Sequence, residues 1–306
     1  MKFLKSIIVI ISICCVSTIK AQKKYFDKKH KATEVIKKEL VFNSNSPDNI
    51  LVVDNVYGSI DIEGYEGAKV IVEVSKTVYA DKNKDLEKGK QEINIGTAQK
   101  EGAIYVYLNS PYTRFDLETG SYEHREFSFN YRRDYKHRKK RNYKYALNFK
   151  IKVPKNTSID VRAVNHGDIY VENIHGNLLI AKNVNGAIDL NNVSGKTDVN
   201  ALNKDINITY ANNPTEESWY KSLNGDINIK FKENLNAAIS YKTMNGKFYT
   251  NFEVEKTIPK VVKTKERRKR GKGTKYKIDS NNHFKIGNGN IQLHFDQLNG
   301  DAIVKK

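Results

Sequence analysis

Cysteine is close to absent. The 306 residues hold two, Cys14 and Cys15, side by side near the start, in a segment that the sequence marks for removal. The chain that remains has no thiol, which excludes disulfide staples and thiolate chemistry. Proline occurs only five times, too seldom for a proline-rich disordered class. Long apolar runs are missing beyond residue 21, so no second segment is long enough to span a bilayer as a helix. Histidine occurs seven times, never in a ligand spacing such as His-Glu-x-x-His. There is no glycine-rich phosphate loop and no nucleophile elbow, because each glycine belongs to a recurring turn pattern or to a basic stretch. Acidic residues are in deficit, 35 Asp and Glu against 53 Lys and Arg, for a formal net charge of +18.

What is present begins with a targeting signal. Lys2 and Lys5 precede an apolar run from Ile7 to Val16, and Ala21 stands before Gln22, the layout of a secretory signal peptide. Ile13 before Cys14 is not the small residue that lipidation processing uses, so cleavage near Ala21 is expected. Residues 22–306 are then one elongated domain located outside the cytoplasm: periplasmic, on the cell surface or secreted.

The stretch from Ala163 to Thr250 organises that domain. Gly167, Gly186, Lys204, Gly225 and Gly246 recur at steps of 19, 18, 21 and 21 residues, preceded by His166, Asn185, Asn203, Asn224 and Asn245. A period near 20 residues marks a stacked array, and Asn or His before Gly marks its turn. Two positions after the slot stand Ile169, Ile188, Ile206, Ile227 and Phe248, and two further on Val171, Leu190, Ile208, Ile229 and Thr250. Apolar residues alternating with polar ones predict half-buried strands. Gly176 and Gly195 start a second short run each, with Leu178 and Ile180, and Thr197 and Val199, on the inner side. The expected fold is an all-β parallel β-solenoid of roughly 20-residue coils. An antiparallel meander or sandwich is the competing arrangement, since Asn-Gly between alternating runs is also a hairpin signal.

Other segments fit the same scheme. Val35, Leu40 and Phe42 open a strand region, and the spacing of Val56, Gly58, Ile60 and Ile62 predicts that the array starts there. Residues 81–92 around Leu86 predict one short helix. Strands are expected at Ile104 to Leu108 and Tyr145 to Val153, and again at Phe284, Ile291 to Leu293 and Ala302 to Val304. Lys305 and Lys306 suit an exposed terminal edge.

The run Tyr145, Leu147, Phe149, Ile151, Val153, Pro154, Asn156, Thr157, Ile159, Val161, then His166, Gly167, Asp168, Ile169 and the Asn-Gly-x-Ile units, resembles the bacterial "putative adhesin" family of exported β-strand-repeat domains. The likeness covers the chain from about Ile50 onward. It implies the solenoid and an extracytoplasmic site, and it brings no catalytic residues or cofactor to transfer.

Asp168, Asp205 and Asp226 share one column, and paired carboxylates on stacked strands can cleave polysaccharide; short acceptors beside a turn also cap it. Trp219 and Tyr220, in a longer coil, read as packing against the coil edge. No cofactor, metal or catalytic residue is expected. The chain departs from the family pattern in two basic insertions, at about 111–145 and 255–282. Residues 131–145 carry a net +7 and residues 260–277 a net +9, together slightly more than the +15 left once the leader's Lys2, Lys5 and Lys20 are gone. Blocks of like charge repel and stay solvated. As a patch, Arg132, Arg133, Arg138, Lys139, Lys140 and Arg141, with Arg267, Arg268, Lys269 and Arg270, would bind an anionic partner: envelope polysaccharide, lipid headgroups or an acidic protein surface. Tyr131, Tyr135, Tyr143 and Tyr145 are interleaved with the first block and could stack on ligand rings. Nucleic acid fits the same charges but not the expected location. The function read from the sequence is an exported, non-catalytic structural, adhesive or interaction module of the cell envelope. The alternative is an envelope polysaccharide-binding protein or polysaccharide-active enzyme.

Overall fold

A computed structural model describes residues 25–116, 121–124, 141–257, 261–268, 271–278 and 282–306. Its strands β1 (His30–Val41), β2 (Ile50–Tyr57), β3 (Ile60–Tyr65) and β4 (Lys69–Ala80) precede the helix α1 (Asn83–Glu92). Next come β5 (Asn94–Lys100), β6 (Ala103–Asn109), a hairpin of β7 (Thr113–Asp116) and β8 (Ser121–His124), and the long β9 (Tyr143–Pro154). The repeat supplies β10 (Ser158–Asn165), β11 (Ile169–Glu172), β12 (Leu178–Asn183), β13 (Ile188–Val193), β14 (Lys196–Ala201) and β15 (Ile206–Tyr210). It continues with β16 (Ser218–Ser222), β17 (Ile227–Lys230), β18 (Ala237–Lys242) and β19 (Phe248–Thr250). After β20 (Glu255–Lys256) follow β21 (Val261–Arg268), β22 (Gly271–Ile278), β23 (Asn282–Ile286), β24 (Ile291–Gln297) and β25 (Ala302–Lys305).

The repeat unit is a pair of strands that part company: the first joins one large sheet and the second joins the other. Units stack in the order β2–β3, β10–β11, β12–β13, β14–β15, β16–β17, β24–β25 and β18–β19, with parallel pairing at each step in both sheets. The predicted column is real over Ile60, Ile169, Ile188, Ile206 and Ile227, each paired with the next. All five are fully buried. The buried residues of both sheets form one apolar cluster between them.

The ends depart from the parallel scheme, so both sheets are mixed. At one end β9 pairs antiparallel with β4, and β4 with β1, while β5 closes the other sheet antiparallel to β6. At the far end β23 pairs antiparallel with β18 and β20. The helix falls where the charged segment placed it. Lys76, almost fully buried, donates to the carbonyls of Lys90 and Ile93 at 2.8 and 2.7 Å and meets Glu34 at 2.5 Å. The cation thereby satisfies carbonyls that the end of α1 leaves without intrahelical partners.

Three expectations need correction. First, β25 is not an edge: it lies between β17 and β19, with Ala302 paired to both Ile227 and Phe248. Lys305 and Lys306 therefore guard no free edge; the chain's last unit is wedged between two earlier ones. Second, the inner residues of β12 are Leu179 and Ala181, paired with Thr197 and Val199, and Leu178 and Ile180 stand on the outer side. Four consecutive apolar residues carry no alternation, so their parity is invisible in the sequence. Leu179 stands three residues after Gly176, whereas its register partner Thr197 stands two after Gly195, so glycine spacing and strand register differ by one. Third, neither basic insertion, both read as long loops, is a loop throughout: the first holds the β7–β8 hairpin and the start of β9, and in the second β21 and β22 form an antiparallel ribbon from Val261 opposite Ile278 to Arg268 opposite Gly271.

Among the buried polar groups, the Tyr210 hydroxyl donates to Thr197 Oγ1 at 2.7 Å and lies 2.6 Å from the Tyr220 hydroxyl. Burial pushes Tyr210 up to about 12 and Tyr220 well above its ordinary value. An unfolded tyrosine titrates near 10. The contribution of each phenol is therefore whole below pH 10, and that of Tyr210 is lost as pH rises from 10 through 12. In urea titrations, stability is expected to fall over that interval by up to about 1.4 kcal/mol per pH unit per group, and Tyr210→Phe should fall less steeply. Parallel curves for the two proteins would refute the assignment.

Candidate interaction surfaces

The carboxylate column is spent on backbone. Asp168 accepts the Ala187 N–H at 2.7 Å, Asp205 that of Asp226 at 2.9 Å, Asp226 that of Asp301 at 2.8 Å, and Asp301 that of Lys247 at 2.8 Å. Each aspartate caps the turn of the next unit, so the capping reading holds, across units rather than within one. Beside it runs an asparagine ladder. Asn185, Asn203, Asn224, Asn299 and Asn245 follow Asn165, joined side chain to side chain at 2.7 to 3.0 Å. Asn165, not His166, is the ladder member. His166 is an extra residue at φ 61°. His175 places Nδ1 3.2 Å from Ser194 Oγ, again at a turn. Among the described residues, no group of three or more His, Cys, Asp or Glu is placed to hold a metal ion.

Of the ten basic residues proposed for an anionic partner, Arg132, Arg133, Arg138, Lys139, Lys140, Lys269 and Arg270 lie outside the described residues. Arg267 and Arg268 fall at the last two register positions of the ribbon, opposite Lys272 and Gly271. Arg141 is half-buried, with its guanidinium 4.7 Å from the Tyr145 ring centre and 5.6 to 5.9 Å from those of Tyr143, Tyr112 and Tyr57. Cation over ring face is attractive, more so where water is excluded. Tyr143 and Tyr145 are only 1% exposed, so these two rings pack inside rather than waiting for a ligand. The Tyr143 hydroxyl donates to Glu92 at 2.7 Å, and burial followed by that carboxylate raises its pKa. Tyr131 and Tyr135 lie outside the described residues.

Sequence reasoning missed how this cluster is completed. Tyr25 stacks on Tyr57 and His166 at 5.0 and 4.8 Å, Phe26 meets Tyr79 and His166, and Lys144 sits 4.3 Å over Tyr25. Burial lowers the His166 pKa. No periodic signal links residues so far apart in the chain.

Trp219 and Tyr220 go to opposite faces. Tyr220 is in the core, and Trp219 stacks on His294 at 3.8 Å and 14° on the outer face. Glu217 contacts His294 Nε2 at 2.7 Å and Lys221 lies 5.0 Å over the indole. Nearby, Leu202, Leu223, Leu298 and Met244 line an open groove of about 420 Å³ with Lys221 and Lys242 along it. His294 comes to Trp219 only because β24 inserts beside β16.

Residues 155–294 match the family model described as Toastrack DUF4097. The matched stretch holds most of the stacked units, and the match agrees with the resemblance read from the sequence. The chain is also similar to a "putative cell adhesion protein" from Clostridium sporogenes ATCC 15579, with 13% identity and a TM-score of 0.41 over 90% of this chain and 99% of that one. It is similar as well to a "putative adhesin" from Bacteroides fragilis NCTC 9343, with 10% identity and a TM-score of 0.40 over 89% and 97% of the two chains. At these scores neither superposition assigns a role to a residue here. No curated protein matches the sequence. Among the described residues no helix is long and apolar enough to cross a membrane.

Proposed function

We propose that the protein is an exported, non-catalytic adhesive or interaction module of the cell envelope. In this reading it is built as one β-solenoid domain over residues 22–306 and holds an anionic partner through its basic insertions. The observation that carries the reading is the ribbon. Among the described residues β21 and β22 pair only with each other and form a sheet of their own, and residues 260–277 carry ten Lys or Arg against Glu266. Opposite charge would draw a polyanion to such a block, and contacts of this kind are screened beyond about 8 to 10 Å at physiological salt. The turn aspartates favour a non-catalytic role, since each is already an acceptor for a neighbouring backbone N–H. Trp219 and His294 favour a second reading, a polysaccharide binder or polysaccharide-active enzyme using that outer face, because paired rings offer an apolar edge beside charged groups.

A panel of acidic and neutral glycans, scored for both product and thermal shift, separates these. Shifts with acidic glycans alone and no product are expected; product from any glycan overturns the non-catalytic reading. Retention on an anionic column should fall steeply between low and physiological salt. Changing Arg267, Arg268, Lys269 and Arg270 together to Ser should weaken retention while leaving the melting temperature in place. Unchanged retention would remove the ribbon from the binding surface, and a lost melt would make it part of the fold.

A further inference from the structure

β1 is the longest strand bounding either large sheet. It runs twelve residues in unbroken register with β4, and among the described residues no strand pairs with its other side. The other bounding strands have three, two and seven residues. A long edge without proline or bulge is a template for another strand. Val35 and Val41, both on its outward face, are 55% and 53% exposed.

The residues along this edge select the partner. Even-numbered positions share the core side, where Ala32, Ile36 and Leu40 pack against the apolar cluster. Two copies related by a two-fold axis pair antiparallel through the same strand, and residues facing each other must lie on the same side. With Ile36 of one copy facing Ile36 of the other, the core side matches Glu34 to Lys38 twice and Ala32 to Leu40 twice. On the outer side Val35 meets Lys37, Thr33 meets Glu39 and Lys31 meets Val41. No like charges face each other. Centring on Glu34, Lys37 or Lys38 sets a like-charged pair at the axis, and centring on Val35 sets Lys38 against Ala32 on the core side. Glu34 remains 49% exposed although it already holds Lys76, so its carboxylate is within reach of a second cation.

We propose that two copies of this chain associate through β1, antiparallel about Ile36, joining two ten-stranded sheets into one. The overlap from Lys31 to Val41 spans about 36 Å at roughly 3.3 Å per residue, enough for about ten backbone hydrogen bonds. Opposite charges across a strand pair stabilise it and like charges destabilise it, by up to about 1 kcal/mol each.

The test uses the full chain with Cys14 and Cys15 changed to Ser, measured by light scattering across a concentration series. A concentration-dependent dimer is expected, and Lys38→Glu, which sets Glu34 against a carboxylate twice, should weaken it roughly tenfold or more with an unchanged melting temperature. Under mild oxidation Ile36→Cys should form a covalent dimer and Val35→Cys should not. Monomer at every concentration overturns the proposal. So does a dimer indifferent to Lys38→Glu, which would place the contact elsewhere. Cross-linking through Val35→Cys instead overturns the register. If Ile36→Cys fails to fold, the Lys38→Glu comparison alone decides.

Discussion

Removing residues 282–306 is expected to abolish cooperative unfolding of the far half of the molecule, because this segment is an interior unit rather than a tail. β24 pairs with both β16 and β18, and β25 with both β17 and β19. Leu293, Phe295, Ala302 and Val304 are all buried. At about 1.5 to 3 kcal/mol for each large apolar side chain, their loss rivals the 5 to 15 kcal/mol that holds a typical domain together. Circular dichroism should show a broadened melt at lower temperature, and limited proteolysis should cut between β16 and β19. The single change Phe295→Ala should cost about 3 to 5 kcal/mol without removing any backbone. A truncated protein melting within a few degrees of the intact one would show that the wedge is dispensable.

Gly186→Val is expected to be strongly destabilising, and Ala187→Val, one residue on, mild. The cause is not backbone handedness, since Gly186 is not among the residues with positive φ. A side chain there has no room: its Cβ would lie 2.0 Å from the Gly167 carbonyl oxygen and 2.5 Å from Asn183 Nδ2. That nitrogen donates to the carbonyls of both Gly167 and Ala187 at 3.1 Å. The clash therefore meets backbone and a hydrogen-bonded side chain, neither able to move away alone. Overpacking of this kind costs about 1 to 3 kcal/mol or more, and broken buried hydrogen bonds add to it. Equal melting temperatures for the two variants would place Gly186 in open space and break the register drawn above.

The stacked columns were legible because alternation and period are local properties: Ile169, Ile188, Ile206 and Ile227 fall at fixed offsets from a turn and pair as those offsets require. The short helix was legible for a similar reason. Stacking order was not. Counting repeats sets Phe248 beside Ile227, whereas Ala302 stands between them, and a period gives the columns without saying which unit follows which in space. The antiparallel strands β4, β1 and β5 alternate like the rest, so their direction was hidden as well. The aromatic cluster around Arg141 and the Trp219–His294 stack depend on strands brought together across long stretches of chain. Apolar character in Tyr57, Tyr145 and Tyr25 announces burial but names no partner.

The position of β24 and β25 has a consequence in time as well as in space. Synthesis delivers β16–β17 and then β18–β19, and the unit that belongs between them emerges after both. Until it does, the facing edges of β16 and β18 carry unsatisfied backbone groups, and Ile227 and Phe248 have no neighbour to share. Closing so long a stretch of chain costs entropy before any contact rewards it, and pairing over large sequence separation is slow. During that interval the exposed edges invite wrong partners, including the same unit from another chain. The basic residues of 260–277 lie in the tether that must swing the last unit home. Their mutual repulsion would keep unfinished chains apart while it does so.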